Sequence, residues 1–277
     1  MEHTKTEAAE ILEAGAAISA KPALVNDGGA PFIVLPNSFS AIDVEHFLAA
    51  PVRKRASVSV SDSSGFAAYV TKHAEVGAMI YADVDTIKEQ FTLVGVLNEH
   101  SMTSPGWRDH TCTLSRKRSV EWTRWASKNK APMPQAEFAA WIEDNLADIA
   151  GVEGMPTGSE MLQMSIGFER TSAKRLKSRI NLQSGGFRLE YVDDEDKDTR
   201  TSMEVFARFA IGIPVFDGGA CAYQIDARLK YRESSGKLSF WYELIRPDRV
   251  FRQSVEEEVS EIAKATKLVI INGIAGL

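Results

Sequence analysis

The chain has little cysteine: Cys112 and Cys221, far apart in 277 residues, are the whole supply. A secreted scaffold held by disulfides carries more, in an even framework. This pair therefore predicts buried thiols in a reducing compartment. Long apolar runs are absent too. None approaches the ~18 residues that would mark a membrane span, so no membrane association is expected. The opening stretch carries Glu2, Glu7, Glu10 and Glu13 and lacks the basic start of a secretory signal. Together these absences predict a cytoplasmic protein. A basic surplus is missing as well. The formal net charge is −6, which argues against a dedicated polyanion binder. There is no G-x-G-x-x-G, Walker loop, G-x-S-x-G or C-x-x-C, which disfavours the common nucleotide, hydrolase and redox chemistries. No repeat, heptad series or low-complexity segment occurs.

What is present is an ordinary globular balance, 44% hydrophobic and 25% charged, in a chain long enough to build a core without staples. Residues 4–20 read as a helix with Ala8, Ile11, Leu12 and Ile18 on one face, stopped by Pro22. Asn26-Asp27-Gly28-Gly29 is a turn signal, Pro31–Leu35 a short strand, and Ile42, Phe47 and Leu48 suggest a brief helix. Over 52–60, Val52, Ala56, Val58 and Val60 alternate with polar residues, the pattern of a half-buried strand. Asp62 or Ser63 then caps a helix. Gly77–Ala82 and Phe91–Leu97 are apolar on both faces and belong inside a sheet.

Ser119 opens a helix with Trp122 and Trp125. A second follows Pro134, with Phe138, Trp141, Ile142, Leu146 and Ile149 on one stripe, and a third covers about 159–172. From Leu176 the period becomes two. Alternating segments follow at 176–183, 187–191, 205–211, 223–231 and 238–244, with turn signals at Ser184-Gly185-Gly186 and Ser234-Ser235-Gly236 and an acidic tip at Asp193–Asp198. A helix over 254–267, opened by a Ser254/Glu257 capping box, and an apolar strand Leu268–Ile271 close the chain. The expected fold class is α+β: residues 1–150 a mixed α/β half with an N-terminal helix and a helical pair, residues 151–277 an antiparallel β-meander covered by helices. The boundary is placed in Ala150–Gly158, though the halves can equally form one continuous domain.

The densest polar stretch runs from Asn98 to His110. It gathers His100, Trp107, Asp109 and His110 in one loop, and loops are where binding and catalytic residues concentrate. His100, Asp109 and His110, with Cys112, could ligate a metal, yet their spacing fits no known metal pattern, so no metal and no cofactor is expected. A His–Asp acid–base pair is the other chemical reading, and a packed structural loop the plainer one. No residue is assigned as catalytic. Candidate nucleic-acid contacts are Arg53 and Arg55, with Arg116, Lys117 and Arg118, and the Lys174–Arg179 cluster beside them. Trp122 and Trp125 could stack on bases. Against these stand the negative net charge and the routine use of Lys and Arg on solvated or edge strands. The acidic tip departs from an EF-hand loop, with Lys197 at a ligand position, and reads as a solvated turn.

Several segments, in order, carry a resemblance: Phe39–Glu45, Ser64–Val70, Trp107–His110, Glu121–Trp125, Phe138–Asn145 and the Tyr231–Leu244 hairpin. The chain resembles the YfdQ-type phage and prophage proteins over about residues 35–270. The resemblance implies a phage origin, a bacterial host cytoplasm and a domain of unknown function, with no catalytic residues to carry over. The expected role is a non-enzymatic accessory protein that assembles with itself or binds a partner. The alternative is a nucleic-acid-associated factor in phage replication or recombination. A homo-oligomer is expected because closed symmetric assemblies are common, because the first helix has a weak Ala-rich stripe, and because Leu268–Ile271 is apolar on both faces and must be covered.

Overall fold

Alternation of apolar and polar residues builds the strands that organise this chain, and a few capping side chains fix where its helices begin. The computed structural model describes residues 7–19, 24–25, 32–33, 48–171, 175–181, 187–192, 200–219, 221–234 and 237–277. The chain forms two compact units, Met1–Lys54 and Arg55–Leu277. The first holds helix α1 (Glu7–Ser19) and an antiparallel pair, β1 (Leu24–Val25) with β2 (Phe32–Ile33). Ile11 and Leu12 of α1 are exposed. The expected turn at 26–29 and the brief helix at 42–47 lie outside the described residues, as do Phe39–Glu45.

The second unit opens with β3 (Ala56–Val60), whose residues alternate half-buried and exposed. Val52 is exposed and precedes the strand. Asp62 caps α2 (Ser63–His73), accepting from the Gly65 N–H at 2.7 Å. Strands β4 (Met79–Asp85), β5 (Gln90–Val96) and β6 (His110–Arg116) follow. Ser119 caps α3 (Val120–Ser127) by accepting from Trp122 N–H. Then come β7 (Met133–Pro134), α4 (Gln135–Asp144), a single 3-10 turn at Leu146–Asp148 and α5 (Gly158–Thr171). Strands β8 (Arg175–Asn181), β9 (Phe187–Val192), β10 (Arg200–Val205), β11 (Arg208–Ile213), β12 (Tyr223–Ser234) and β13 (Lys237–Leu244) lead to α6 (Pro247–Thr266) and β14 (Ile270–Asn272).

The strands form three sheets in this unit, and the class is α+β. A five-stranded mixed sheet has the order β14-β4-β5-β6-β3, its two outer strands parallel to their neighbours. An antiparallel sheet has the order β11-β12-β13-β7, and a second antiparallel sheet β10-β9-β8. Two short strands cross between the sequence halves. Strand β14, last in the chain, borders β4, while β7 borders β13. One contiguous apolar core runs from Phe66 to Ile262 and includes Trp125, Phe209, Phe240 and Phe251. The turns at 184–186 and 235–236 and the acidic tip lie outside the described residues.

The expected capping box at Ser254 is corrected. Helix α6 begins two turns earlier, with Pro247 in its first turn and Arg246 in the left-handed region before it. Pro lacks the N–H that a first helical turn leaves unused, so it starts the helix without cost. Ser254 is then interior, and its Oγ–H donates back to Phe251 O at 2.7 Å. Glu257 instead accepts from Tyr223 O–H at 2.7 Å.

Candidate functional site

The loop between β5 and β6 is held shut by the backbone. Leu97 N–H donates to His110 O at 2.9 Å, and Arg108 N–H to Asn98 O at 3.2 Å. A Cβ at Gly106 would lie 2.2 Å from Asn98 O, so only glycine permits this approach. Arg108 adopts φ +59, a left-handed conformation that L side chains tolerate poorly. The surroundings must hold it there, and they do.

Glu99 is the hub, its side chain only 7% exposed. It takes Arg108 Nε at 2.9 Å on Oε1 and Tyr81 O–H at 2.7 Å on Oε2, and it accepts from His100 N–H at 3.0 Å. Arg108 Nη1 donates onward to Gly276 O at 2.7 Å, which ties the segment after β14 to this loop. Burial works to raise the Glu99 pKa. It is outweighed by the hydrogen bonds from His100 N–H, Tyr81 and Arg108 and by the Arg108 charge, and the carboxyl is held below the usual glutamate range. A depressed folded pKa contributes stability above the unfolded value, lost as pH falls through the folded one. Acid should therefore loosen this loop, and Glu99→Gln should flatten the acid side of the stability profile. Denaturation midpoints across the acid range check this; parallel profiles for the two proteins would remove Glu99 from the account.

The nominated residues are engaged separately. His100 Nδ1 accepts from Gly106 N–H at 2.9 Å. Asp109 Oδ1 accepts from Asn98 Nδ2 at 2.9 Å. His110 is buried, with its Nε2 at 3.0 Å from Tyr69 O–H, and His73 completes a cluster of three rings. Trp107 is 74% exposed. These side chains do not converge on one open point. Burial pushes the Cys112 thiol up to about 11, so it stays protonated near neutrality. Among the described residues, no three His, Cys, Asp or Glu side chains group so as to hold a metal.

The basic candidates fall in different surroundings. Strand β3 runs parallel to β6, with Ala56 opposite His110. Arg55 therefore lies at the opposite end of β6 from Arg116, about 20 Å away along the strand. Arg116 is 6% exposed and pairs with Glu258, Nε to Oε1 at 2.9 Å. Its Nη1 donates to Ser61 O at 2.7 Å and its guanidinium lies over Phe216. Ser63 Oγ–H donates to the same Glu258 carboxylate. Arg118 pairs with Glu89 at 3.0 Å, and Lys117 is exposed. Trp122 and Trp125 are buried, so neither presents a face on which a base could stack. The Lys174 end of the remaining cluster lies outside the described residues.

Sequence reasoning missed a cleft of about 440 Å³ between α2 and α6, lined by Asp62, Ser63, Arg116, Tyr223, Glu257 and Glu258. Burial, then the bond to Glu257, raises the Tyr223 phenol well above its ordinary range. The cleft's polar groups largely satisfy one another. The signal for it was the Glu256–Glu258 run, which the expected capping box had absorbed.

Residues 4–275 match the family of uncharacterised conserved proteins DUF2303, and the chain belongs to that family. No curated protein matches it, and no solved structure does.

Proposed function

We propose that this DUF2303 member is a phage- or prophage-derived cytoplasmic accessory protein that acts by binding further copies of itself or a partner, without catalysis. One observation carries the reading. Strand β14 is an edge of the five-stranded sheet, paired with β4 on one side only. Just before it Val269 is 62% exposed, and after it Ile274 is 77% and Leu277 67% exposed. An apolar edge with open backbone groups invites pairing with another chain, and soluble proteins normally cover or charge such edges. Arg108 anchors this segment beside the loop that displays Trp107. The polar loop itself spends its side chains on holding that anchor, which supports a structural role over a chemical one. The phage origin rests on the ordered segments shared with the YfdQ-type proteins, and the identity of the neighbouring genes tests it.

Light scattering tests the assembly. The wild-type chain is expected to exceed 30.5 kDa at high concentration, and Ile271→Lys with Ile274→Asp should return it to the monomer. A monomer at every concentration, with no partner retained on the edge, would overturn the reading.

A further inference from the structure

The inner face of the β11–β13 sheet is apolar: Ile225, Ala227 and Leu229 of β12 are buried, as are Phe209 of β11 and Phe240 and Tyr242 of β13. The period of two then sends Arg228, Lys230 and Arg232 to the outer face, and all three are exposed. Arg208 on β11 stands directly opposite Arg228 and is also exposed. On the other side, Trp241 stands opposite Lys230, half-buried, with the Arg232 guanidinium 5.7 Å from its ring centre. Two carboxylates share this face. Asp226 accepts from Gln224, and Glu243, directly opposite Arg228 on β13, accepts from Trp241 Nε1–H. None of the four cations forms an ion pair with a described carboxylate.

This arrangement costs the fold something. Like charges directly opposite on neighbouring strands are unfavourable, and Arg208 against Arg228 is such a pair. Basic residues often serve to protect sheet edges, and Lys230 and Arg232 lie where β12 pairs with β13 alone, but Arg228 is flanked by both β11 and β13, so that explanation does not reach Arg228. What remains is a concentration of positive charge, with an indole beside it, on a chain of net charge −6. Same-face residues on a strand repeat about every 6.8 Å, a step that an extended sugar–phosphate backbone can follow. Single-stranded nucleic acid is bound by this combination, cations along the backbone and an aromatic on which bases stack. A duplex hides its base faces, and one half-buried indole among cations lacks the broad apolar face that membrane insertion uses.

We infer that the outer face of the β11–β13 sheet, with Arg208, Arg228, Lys230 and Arg232 around Trp241, is a binding platform for single-stranded nucleic acid. The inference does not rest on the apolar edge at β14, and it places the contacts elsewhere than Arg53, Arg55 and the 116–118 cluster.

The test uses the full chain and a labelled oligothymidylate of about 20 nucleotides, longer than a typical single-strand site, read by fluorescence anisotropy. Binding is expected at low salt, falling steeply between about 50 and 200 mM as counterions compete. Arg228→Gln with Lys230→Gln should weaken it at least tenfold while leaving the unfolding midpoint nearly unchanged, because relief of the like-charge pair with Arg208 offsets the lost attraction to Glu243 opposite. Trp241→Phe should keep more affinity than Trp241→Leu. Arg53→Gln with Arg55→Gln should bind as the wild type does. The inference is overturned by no binding at micromolar protein and low salt, by binding that survives neutralisation of Arg228 and Lys230, or by equal affinity for a duplex, heparin or phosphatidylserine vesicles. A monomeric protein that still binds the oligonucleotide would sink the assembly reading and leave this one standing.

Discussion

Arg116→Ala is expected to destabilise the protein by about 3–5 kcal/mol, because removing one partner of a buried ion pair leaves the other charge uncompensated. The stranded group is Glu258, 12% exposed beneath α2 and linked to it through Ser63. Arg116 also holds Ser61 O at the turn into α2 and covers the Phe216 ring. One guanidinium therefore joins β6, the start of α2 and the middle of α6. Its neighbours in sequence set the scale. Arg118, whose side chain is 43% exposed in its pair with Glu89, should cost no more than about 1 kcal/mol. Exposed Lys117 should change stability by less than about 0.5 kcal/mol. Urea midpoints of the three alanine variants decide the matter. Should Arg116→Ala unfold where Lys117→Ala does, Arg116 would return to the surface as a candidate contact. Arg116→Ala with Glu258→Ala should recover part of the loss, since the double variant strands no charge.

How much of this was legible depends on whether a signal is local. The alternation over 52–60, the Asp62 and Ser119 caps, and the paired alternations around 234–236 are local, and the structure has these elements, the first of them shortened to Ala56–Val60. The 205–211 alternation ran across two strands. Chain geometry breaks at Phe206–Ala207, and β10 and β11 join different sheets. Strand β7 was invisible because two residues carry no period. The closing strand was expected at Leu268–Ile271 and forms at Ile270–Asn272; only its pairing with β4, distant in sequence, had no local signal. The start of α6 was misread because Ser254 and Glu257 imitate a cap. Pro247 was the stronger punctuation, and Phe251 already extends the buried stripe upstream.

The polar loop could be located from composition, but not its internal order. His100 and His110 drew notice because of their chemistry. Glu99 and Arg108 hold the centre because of burial, which only tertiary structure decides. By contrast the exposure of the outer cations of β12 follows from local alternation. The alternation that buries Ile225, Ala227 and Leu229 must expose Arg228 and Lys230. What the sequence withheld was the neighbour on each side, Arg208 and Trp241.

Trp125→Ala should cost about 3–5 kcal/mol, the range for emptying a large aromatic site that cannot collapse. Trp125 is fully buried and meets Tyr242 at 5.0 Å, Trp141 at 5.7 Å and Phe209 at 6.1 Å between ring centres. Its Nε1–H donates to Asp148 at 2.8 Å, and its own carbonyl accepts from Tyr242 O–H at 2.7 Å. Trp125→Phe keeps most of the packing and loses the bond to Asp148, a smaller cost of about 1 kcal/mol. The apolar stripe with Phe138 and Ile142 predicts the same standing for Trp141. The structure leaves it half-buried at the edge of that stripe, with a buried Nε1–H that has no partner among the described residues. Trp141→Ala removes less packed surface and also an unsatisfied donor, so it should cost less than half as much as Trp125→Ala. Equal shifts in the urea midpoints of the two variants would mean that the indoles are buried alike. The comparison bears on function as well. Trp125 supports the inner face of the sheet whose outer face carries the cations. Its truncation should weaken the inferred nucleic-acid binding only as far as it unfolds the protein, whereas neutralising Arg228 and Lys230 should weaken binding at least tenfold in a fold that remains intact.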